Sequence, residues 1–340
     1  ALKTVCLEQN MDLIATAHHM EDQAETVLMH LMYGAGSDGL SGIKERQQLL
    51  WRPLLKANKK EIIMLLKQKN MPFCTDETNF NLDFTRNAIR NKIIPAMQDV
   101  YPSSVESISR CSEILSAEND FLQSYANEWI LNNSFFKQDV CWFYRKGFNK
   151  QHIAIRRLIL RIFYKKTTQT ELNFEQTQRI IESVSGKQNN LKVSTAGENF
   201  VYITEERVHI IKKERSLSSE KGNIKRLKFM GDIGDGIFEQ AFGEDSLEGA
   251  VLRFRQAGDR IRPLGALGSQ TLKQYMIDKK IDQPLRDFWP ILAKGSEVLW
   301  VIGRGISQNA AIKDNTTGKV FLRFESILPD GTKYKERHNK

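Results

Sequence analysis

No stretch of the 340-residue chain approaches the ~20 consecutive apolar residues that a membrane-crossing helix needs. Cysteine is scarce. Cys6, Cys74, Cys111 and Cys141 stand far apart and form no Cys-x-x-Cys, which argues against a structural zinc site and a disulfide framework and fits a reducing cytoplasm. No signal peptide, internal repeat or low-complexity tract is visible, and the first residue is Ala1 rather than Met, so targeting is not readable from the start of the chain. Acidic residues are outnumbered, 41 against 50 Lys and Arg, which leaves a formal charge of +9. That balance favours a polyanionic partner, most often nucleic acid, with a basic but inert surface as the alternative.

What is present is ordinary for a globular protein, with 41% hydrophobic and 27% charged residues. The length suffices for two or three domains, each with a core. Over the first ~95 residues the pattern alternates between strand and helix. A helix is expected over Leu2–Asn10, a strand over Asp12–Ala17 and a helix over Glu21–Met32 with Ala24, Val27, Leu28, Leu31 and Met32 as its buried stripe. A Gly- and Ser-rich loop (Gly34–Gly42), a short strand within Leu49–Leu55 and a helix over Lys59–Asn70 follow. Another helix opens at Arg86 and is expected to stop before Pro95. From about 95 to 213 the pattern is mostly helical, clearest over Ser104–Phe136 and Gln151–Lys165, and ends in a small hairpin within Leu191–Ile211. Lys212–Lys228 reads as a linker. The last block begins as β, contains a helix over Thr271–Lys280 capped by Thr271, a strand over Val298–Ile302 and a turn at Leu328–Gly331, and ends in a basic tail from Lys333.

The segment His18-His19-Met20-Glu21-Asp22-Gln23-Ala24-Glu25-Thr26 is the most informative. A short apolar strand empties into two histidines, and a helix then begins with acids. In α/β proteins, ligands sit beyond strand carboxyl ends and near helix N-termini. Asp22 and Glu25 share a helix face. The plain alternative is that acids favour any helix N-terminus. Zinc would need a third defined ligand that the spacing does not supply, whereas a carboxylate pair facing a nucleotide suits Mg²⁺ or an amine. Gly34-Ala35-Gly36-Ser37-Asp38-Gly39 fits G-x-G-x-x-G, but it follows a helix rather than a strand, so it reads as a helix cap and not a dinucleotide loop. Arg86 and Arg90 stack four residues apart, a repulsion that a shared anion or ion pairs to Asp76, Glu77 or Asp83 would relieve. Arg157, Arg161 and Lys165 form a basic helical stripe. With Arg253, Arg255, Arg260, Arg262, Lys273, Lys279, Lys280 and Arg286 it could track an RNA backbone, although such a stripe is usually a solvated face.

Thr16-Ala17-His18-His19-Met20-Glu21-Asp22-Gln23-Ala24-Glu25-Thr26 resembles the T-[GA]-H-H-x-[DE]-D-Q-x-E-T motif of bacterial tRNA(Ile)-lysidine synthetases. A similar glycine loop ending Gly39-Leu40-Ser41-Gly42-Ile43, then Arg52-Pro53-Leu54-Leu55, Asp76-Glu77-Thr78-Asn79 and Arg86-Asn87-Ala88-Ile89-Arg90 with Pro95 follow in the family's order. Gly258-Asp259-Arg260-Ile261-Arg262-Pro263-Leu264-Gly265 resembles the opening of the family's C-terminal tRNA-binding domain, and Asp282–Leu292 and Leu299–Gly303 its later part. The resemblance implies an α/β fold: the remainder of a parallel-sheet, adenine nucleotide alpha-hydrolase-like nucleotide-binding domain (1–95), a mainly helical middle domain (96–215), a small α+β C-terminal domain (225–328) and a basic tail (333–340).

The activity it implies is ATP-dependent ligation of lysine to C2 of cytidine 34 in the CAU anticodon of an isoleucine tRNA, through an adenylated cytidine, with Mg²⁺, in the cytoplasm and away from membranes. A homodimer is compatible with it. His18, Asp22, Glu25, Arg86 and Arg90 match the family's catalytic-domain residues. His19 and Asn87 are expected at the nucleotide, Asp22 is a candidate Mg²⁺ ligand, and Arg157, Arg161, Lys165, Arg260, Arg262, Lys273 and Arg286 are expected at the tRNA. Two departures stand out. The family's pyrophosphate loop, S-G-G-x-D-S, does not occur in these 340 residues, as though the chain resembled the family from one third of its catalytic domain onward. Ser307-Gln308-Asn309-Ala310-Ala311 carries alanine where many relatives have a basic residue. A tRNA-sulfurating ATP-pyrophosphatase is an alternative that would want paired cysteines, and a noncatalytic tRNA-binding remnant is another. The expectation is that the 340-residue chain alone forms no lysidine from ATP, lysine and tRNA(Ile). Incubating the purified chain with all three, and digesting the tRNA for mass spectrometry, checks this; robust product formation refutes it.

Overall fold

The computed structural model describes residues 2–73, 85–137, 140–195, 199–212, 222–312, 316 and 318–334. Cys74, Asp76, Glu77, Thr78, Asn79 and Asp83, most of the linker and the end of the basic tail lie outside the described residues. The chain divides into two compact units, Ala1–Tyr125 and Ala126–Lys340.

The first unit opens with α1 (Leu2–Glu8), β1 (Ile14–Ala15), α2 (Met20–Met32) and α3 (Ser37–Leu40), followed by β2 (Arg46–Gln47), β3 (Leu50–Trp51) and α4 (Lys59–Gln68). The strands are shorter than the apolar runs that announced them. β1 pairs parallel with β3, Ile14 opposite Leu50, and β2 closes the other side antiparallel. Parallel pairing directs the segments after β1 and after β3 to the same end of the sheet, which is where Thr16 to His18 and Arg52 lie.

The glycine loop does cap a helix: Gly34 has φ 71° and its N–H donates to Leu31 O at 3.0 Å. The helix at Arg86 does not stop at Pro95. It starts as α5 (Thr85–Ala88), widens into a π-helical turn over Ile89–Ile93 and continues as α6 (Ile94–Val100), with Pro95 in its first turn. The π-helical turn before it already leaves the i→i−4 ladder, Ile94 N–H reaching Ile89 O, and the chain carries the proline at that irregularity without a break. Ala24 of α2, Ile89 and Ile94 form the small core with Val105 of α7 (Ser104–Asn133).

The α2 stripe is not the one the 3.6 periodicity draws. Ala24 and Val27 are buried, but Leu31 and Met32 are 58% and 59% exposed, while Gln23 and Glu25 are buried instead. The burial of two polar side chains in place of two apolar ones is the first structural mark of the site.

The second unit contains the end of α7, then β4 (Ser134–Lys137), β5 (Val140–Tyr144), α8 (Arg145–Asn149), α9 (Ile153–Thr168), α10 (Phe174–Ser185), β6 (Leu191–Ser194), β7 (Phe200–Ile203) and β8 (Arg207–Ile211). α7 ends at Asn133, and the last residues expected as helix are strand β4. The hairpin expected over Leu191–Ile211 is part of a five-stranded antiparallel sheet, β4-β5-β8-β7-β6. Strands β4 and β5 were hidden in the sequence because Phe135, Phe136, Trp142 and Phe143 lie near one another in short runs that suit either structure.

The C-terminal part holds β9 (Ile224–Lys228), β10 (Glu239–Gly243), α11 (Glu244–Leu247), β11 (Val251–Arg253), β12 (Arg260–Ile261), β13 (Gln270–Thr271), α12 (Leu272–Asp278), β14 (Ile291–Lys294), β15 (Glu297–Val301), β16 (Gly305–Ile306) and β17 (Lys319–Phe324). The linker is thus shorter than expected, since β9 pairs with β17. Thr271 caps α12, its hydroxyl accepting from Gln274 N at 3.3 Å. Trp289 and Trp300 are fully buried at the centre of this part, their indole N–H groups donating to Ile302 O at 2.9 Å and to Gly236 O at 3.1 Å.

Within the second unit a polar clasp ties the five-stranded sheet to the C-terminal part. Arg207 Nη1 and His209 Nε2 both lie 3.1 Å from Asp282 Oδ2, Tyr202 donates to Gln283 Oε1 at 2.8 Å, and Trp142 Nε1 donates to Pro329 O at 2.9 Å. Burial by itself would raise the Asp282 carboxyl, but the His209 and Arg207 hydrogen bonds and charges outweigh it and hold the group below its ordinary value of 3.8. A depressed carboxylate adds stability above its unfolded value and loses it as pH falls through the folded one. The second unit should therefore lose stability in acid below about pH 4, and Asp282→Asn should flatten that part of the curve. Urea unfolding between pH 3 and 7 reads both; an unchanged acid limb in the variant would refute the assignment.

Candidate active site

The site is built on the first turn of α2. His19 is the N-cap, and its backbone N–H donates to Asp22 Oδ2 at 3.0 Å, the return half of a capping box. The His19 ring lies 2.9 Å from Glu21 Oε2, and both Glu21 oxygens accept Lys59 N at 3.1 Å, joining the start of α2 to the start of α4. Burial alone would raise the Glu21 carboxyl, yet the His19 hydrogen bond and the backbone N–H groups hold it below the ordinary value.

Asp22 and Glu25 face the helical turn that carries Arg86 and Arg90. Glu25, 1% exposed, meets Arg86 Nε at 2.8 Å through Oε2 and Arg90 Nε at 2.5 Å through Oε1, and Oε2 also accepts Arg90 Nη2 at 2.9 Å. Asp22 Oδ1 takes Arg86 Nη2 at 3.1 Å and Arg90 Nη2 at 3.2 Å. Among the described residues, two carboxylates and two guanidiniums thus form one network, so α2 supplies relief that the Arg pair needs. The Glu25 hydrogen bond is the main cause that raises Arg90 above its ordinary value, against the opposing effect of burial. The π-helical turn begins between the two arginines, which sit on either side of the buried Ile89.

A cavity of about 370 Å³ opens beside this network, lined by Ala17, His18, Asp22, Arg86, Asn87 and Arg90. His18 Nδ1 lies 2.9 Å from Thr16 Oγ1. Burial is the first cause that lowers the His18 pKa, aided by the charges of Arg52 and Arg86 and opposed by Asp22, so the ring is neutral at pH 7. Arg52, which donates to Lys44 O at 2.7 Å, adds a further positive charge after β3. The arrangement can collect an anion: cations fixed by buried carboxylates lose little freedom when an anion arrives.

Of the expected residues, the structure brings His18, Asp22, Arg86, Arg90 and Asn87 together around the cavity, with Glu25 behind the arginines. His19 instead faces Glu21 and Asp22 as the helix cap. Asp22 does not fit a Mg²⁺ site here, since both its oxygens are engaged by guanidiniums and a backbone N–H. Among the described residues no group of three or more His, Cys, Asp or Glu side chains could hold a metal ion.

Gln23 was missed. Its amide donates to Ser112 Oγ at 2.8 Å and to Ser41 O at 3.3 Å, and accepts Ile43 N at 2.6 Å, clamping the glycine loop against α7. Gly42, at φ 65°, has no room for a Cβ, which would stand 2.7 Å from the Gln23 amide oxygen. A polar residue on the helix face shared with Val27 was the available signal.

The basic residues of the second unit fall into two groups. Arg161, Lys165, Arg260 and Lys273 are exposed, whereas Arg157, Arg262 and Arg286 are half-buried and bonded to Gln178, Ala266 O and Ile281 O. Lys165 also reaches Glu171 at 2.5 Å. Arg253 is not available to a polyanion: it is buried in a paired bond to Asp259 at 2.8 and 2.7 Å and donates to Gly295 O.

The parallel strand pair, the ligand face at its carboxyl end and the anion-collecting arginines define a nucleotide-binding α/β domain, and the PP-loop domain family matches residues 1–97. The family described as TilS substrate C-terminal domain matches residues 250–322. A tRNA(Ile)-lysidine synthase of Caldanaerobacter subterraneus subsp. tengcongensis is 30% identical over 92% of this chain and 71% of the relative. One of Clostridioides difficile is 30% identical over 92% and 73%, and one of Persephonella marina 28% identical over 95% and 74%. The chain belongs to the tRNA(Ile)-lysidine synthase family, enzymes of the ligase class. No helix among the described residues is long and apolar enough to cross a membrane.

Glu25 holds both arginines from a dry position. Glu25→Gln removes the buried charge and leaves the two guanidiniums to Asp22 alone, which should destabilise the first unit by about 3 kcal/mol. Urea unfolding followed by a probe in the first unit checks this; a loss below about 1 kcal/mol would show the network to be dispensable.

Proposed function

We propose that the His18–Arg90 cavity is one wall of the site at which this family ligates lysine to tRNA, and that these 340 residues, in which the S-G-G-x-D-S pyrophosphate loop does not occur, do not complete the reaction below by themselves. ATP and tRNA(Ile) with a CAU anticodon are the first substrates: O2 of cytidine 34 attacks the α-phosphorus, and pyrophosphate leaves. L-Lysine then attacks C2 through its amine, the bond to the adenylate oxygen breaks, AMP leaves, and the amine loses a proton. The observation that carries this reading is the Asp22–Glu25–Arg86–Arg90 network beside the cavity that His18 and Asn87 also line.

In the first step negative charge builds on the phosphoryl oxygens, and guanidiniums already fixed in place meet it without rearranging. Arg86, 40% exposed, and Arg90, 24% exposed, reach the cavity while their far sides are held by Glu25. The same pair suits the carboxylate of lysine. Asp22 and Glu25 act by holding the arginines. Asn87 borders the same space. Mg²⁺, if used, would enter with the nucleotide phosphates, because no protein cage is present among the described residues. A sulfur-transferring reaction is less well supported, since Cys6, Cys74, Cys111 and Cys141 stand far apart in sequence with no Cys-x-x-Cys, and Cys6 and Cys141 are buried.

The second unit supplies the RNA contacts in this reading. Arg161, Lys165, Arg260 and Lys273 are exposed and suited to phosphates. Affinity of the chain for tRNA(Ile) should fall steeply with salt. The joint variant Arg161→Ala, Arg260→Ala, Lys273→Ala should make the logarithmic salt slope shallower by about 2–3. Arg90→Ala should leave tRNA affinity unchanged and weaken ATP and pyrophosphate binding at least tenfold, about 1.4 kcal/mol or more. Filter binding across salt and calorimetric titration read these. A flat salt response overturns the RNA assignment, and unchanged nucleotide binding in Arg90→Ala overturns the site.

A further inference from the structure

We infer that Thr16 is a positioning residue, whose hydroxyl donates to His18 Nδ1 and so fixes the ring in the tautomer that presents Nε2–H to the cavity. The inference rests on the reading of this cavity as the anion site, but its structural content can be tested without it.

Thr16 leaves β1 directly after Ala15, and its backbone N–H donates to Trp51 O at 2.9 Å, so its position is set by the parallel pairing of β1 with β3. Its Oγ1 lies 2.9 Å from His18 Nδ1. The question is which atom donates. A half-buried hydroxyl proton needs an acceptor, and Nδ1 is the one acceptor that the protein offers it among the described contacts. If instead Nδ1–H donated, the threonine proton would have no protein partner, and Nε2 would point a bare lone pair into a space that already collects anions. With the hydroxyl as donor both requirements are met. The proton stays on Nε2, where it can donate to a phosphoryl or pyrophosphate oxygen held by Arg86 and Arg90. His18 then serves as a neutral hydrogen-bond donor, not as a base. Nearby Arg52 and Arg86 favour the neutral ring, which the donor role requires.

The test is ¹⁵N NMR of the imidazole groups in the 340-residue chain at pH 7.5, with the His18 signals assigned by His18→Gln. The expected result is the Nε2–H tautomer in the wild type and in Thr16→Ser, and a mixture of tautomers in Thr16→Val. Calorimetric titration of inorganic pyrophosphate supplies the second readout. Thr16→Val should weaken binding about three- to tenfold, the size of one hydrogen bond, with Thr16→Ser restoring it. An Nδ1–H or doubly protonated His18 in the wild type overturns the inference, as does a Thr16→Val ring that keeps the Nε2–H tautomer unmixed. Should the tautomers be as expected while His18→Gln binds pyrophosphate as the wild type does, the tautomer assignment stands and the anion-site reading fails.

Discussion

Glu25 at the bottom of α2 is the point on which the first unit turns. A carboxylate 1% exposed is tolerable in a protein only when its charge is met, and here two guanidiniums meet it. That requirement fixes α2 against the helical turn that follows the undescribed segment, it offsets the repulsion between Arg86 and Arg90, and it aims their remaining surface at the cavity. Stability and function are thereby coupled. The same bonds that satisfy a buried acid hold two cations where an anion can use them, and the rotamer freedom that a surface arginine would lose on binding is already gone.

The supporting contacts follow the same logic at lower intensity. Glu21 caps α4 while holding the His19 ring, and Gln23 clamps the glycine loop against α7. Three polar residues within little more than one turn of α2, Glu21, Gln23 and Glu25, therefore each bind a different neighbouring element. This explains a segment that seemed overloaded with titratable groups: only some of them face the cavity, and the rest build its walls. The second unit uses a comparable device, where Asp282 receives Arg207 and His209 at once. In both places a carboxylate largely or wholly withdrawn from solvent takes two partners from another part of the chain.

The basic surface of the second unit is organised differently. Its cations are spread over α9, the β12–β13 pair and the start of α12, and several are spent on the protein itself. Arg253 is committed to Asp259 and to the Phe254 and Gly295 carbonyls, and Arg255 pairs with Asp287 at 2.6 Å. A count of positive charges therefore overstates the surface offered to a polyanion. What remains exposed is still consistent with a net charge of +9 and with long-range attraction that precedes any specific contact.

The sequence by itself determined the order of elements in the first unit, the position of α2, the role of the glycines as a cap, and the set His18, Asp22, Glu25, Arg86 and Arg90. These rest on short-range rules, namely helix periodicity, end effects and motif spacing, which act within a few residues. It could not decide who pairs with whom. The relief expected for the arginines was a shared anion or ion pairs to acids nearby in the chain, and among the described residues the ion pairs come from Asp22 and Glu25, more than 60 positions away. Leu31 and Met32 looked buried, and tertiary packing leaves both exposed while burying Glu25. Pro95 looked like a stop, but the turn before it let the helix continue. Each reversal has one cause: the free energy of burying a group depends on what meets it there, and that is set by the fold and not by the neighbours in sequence.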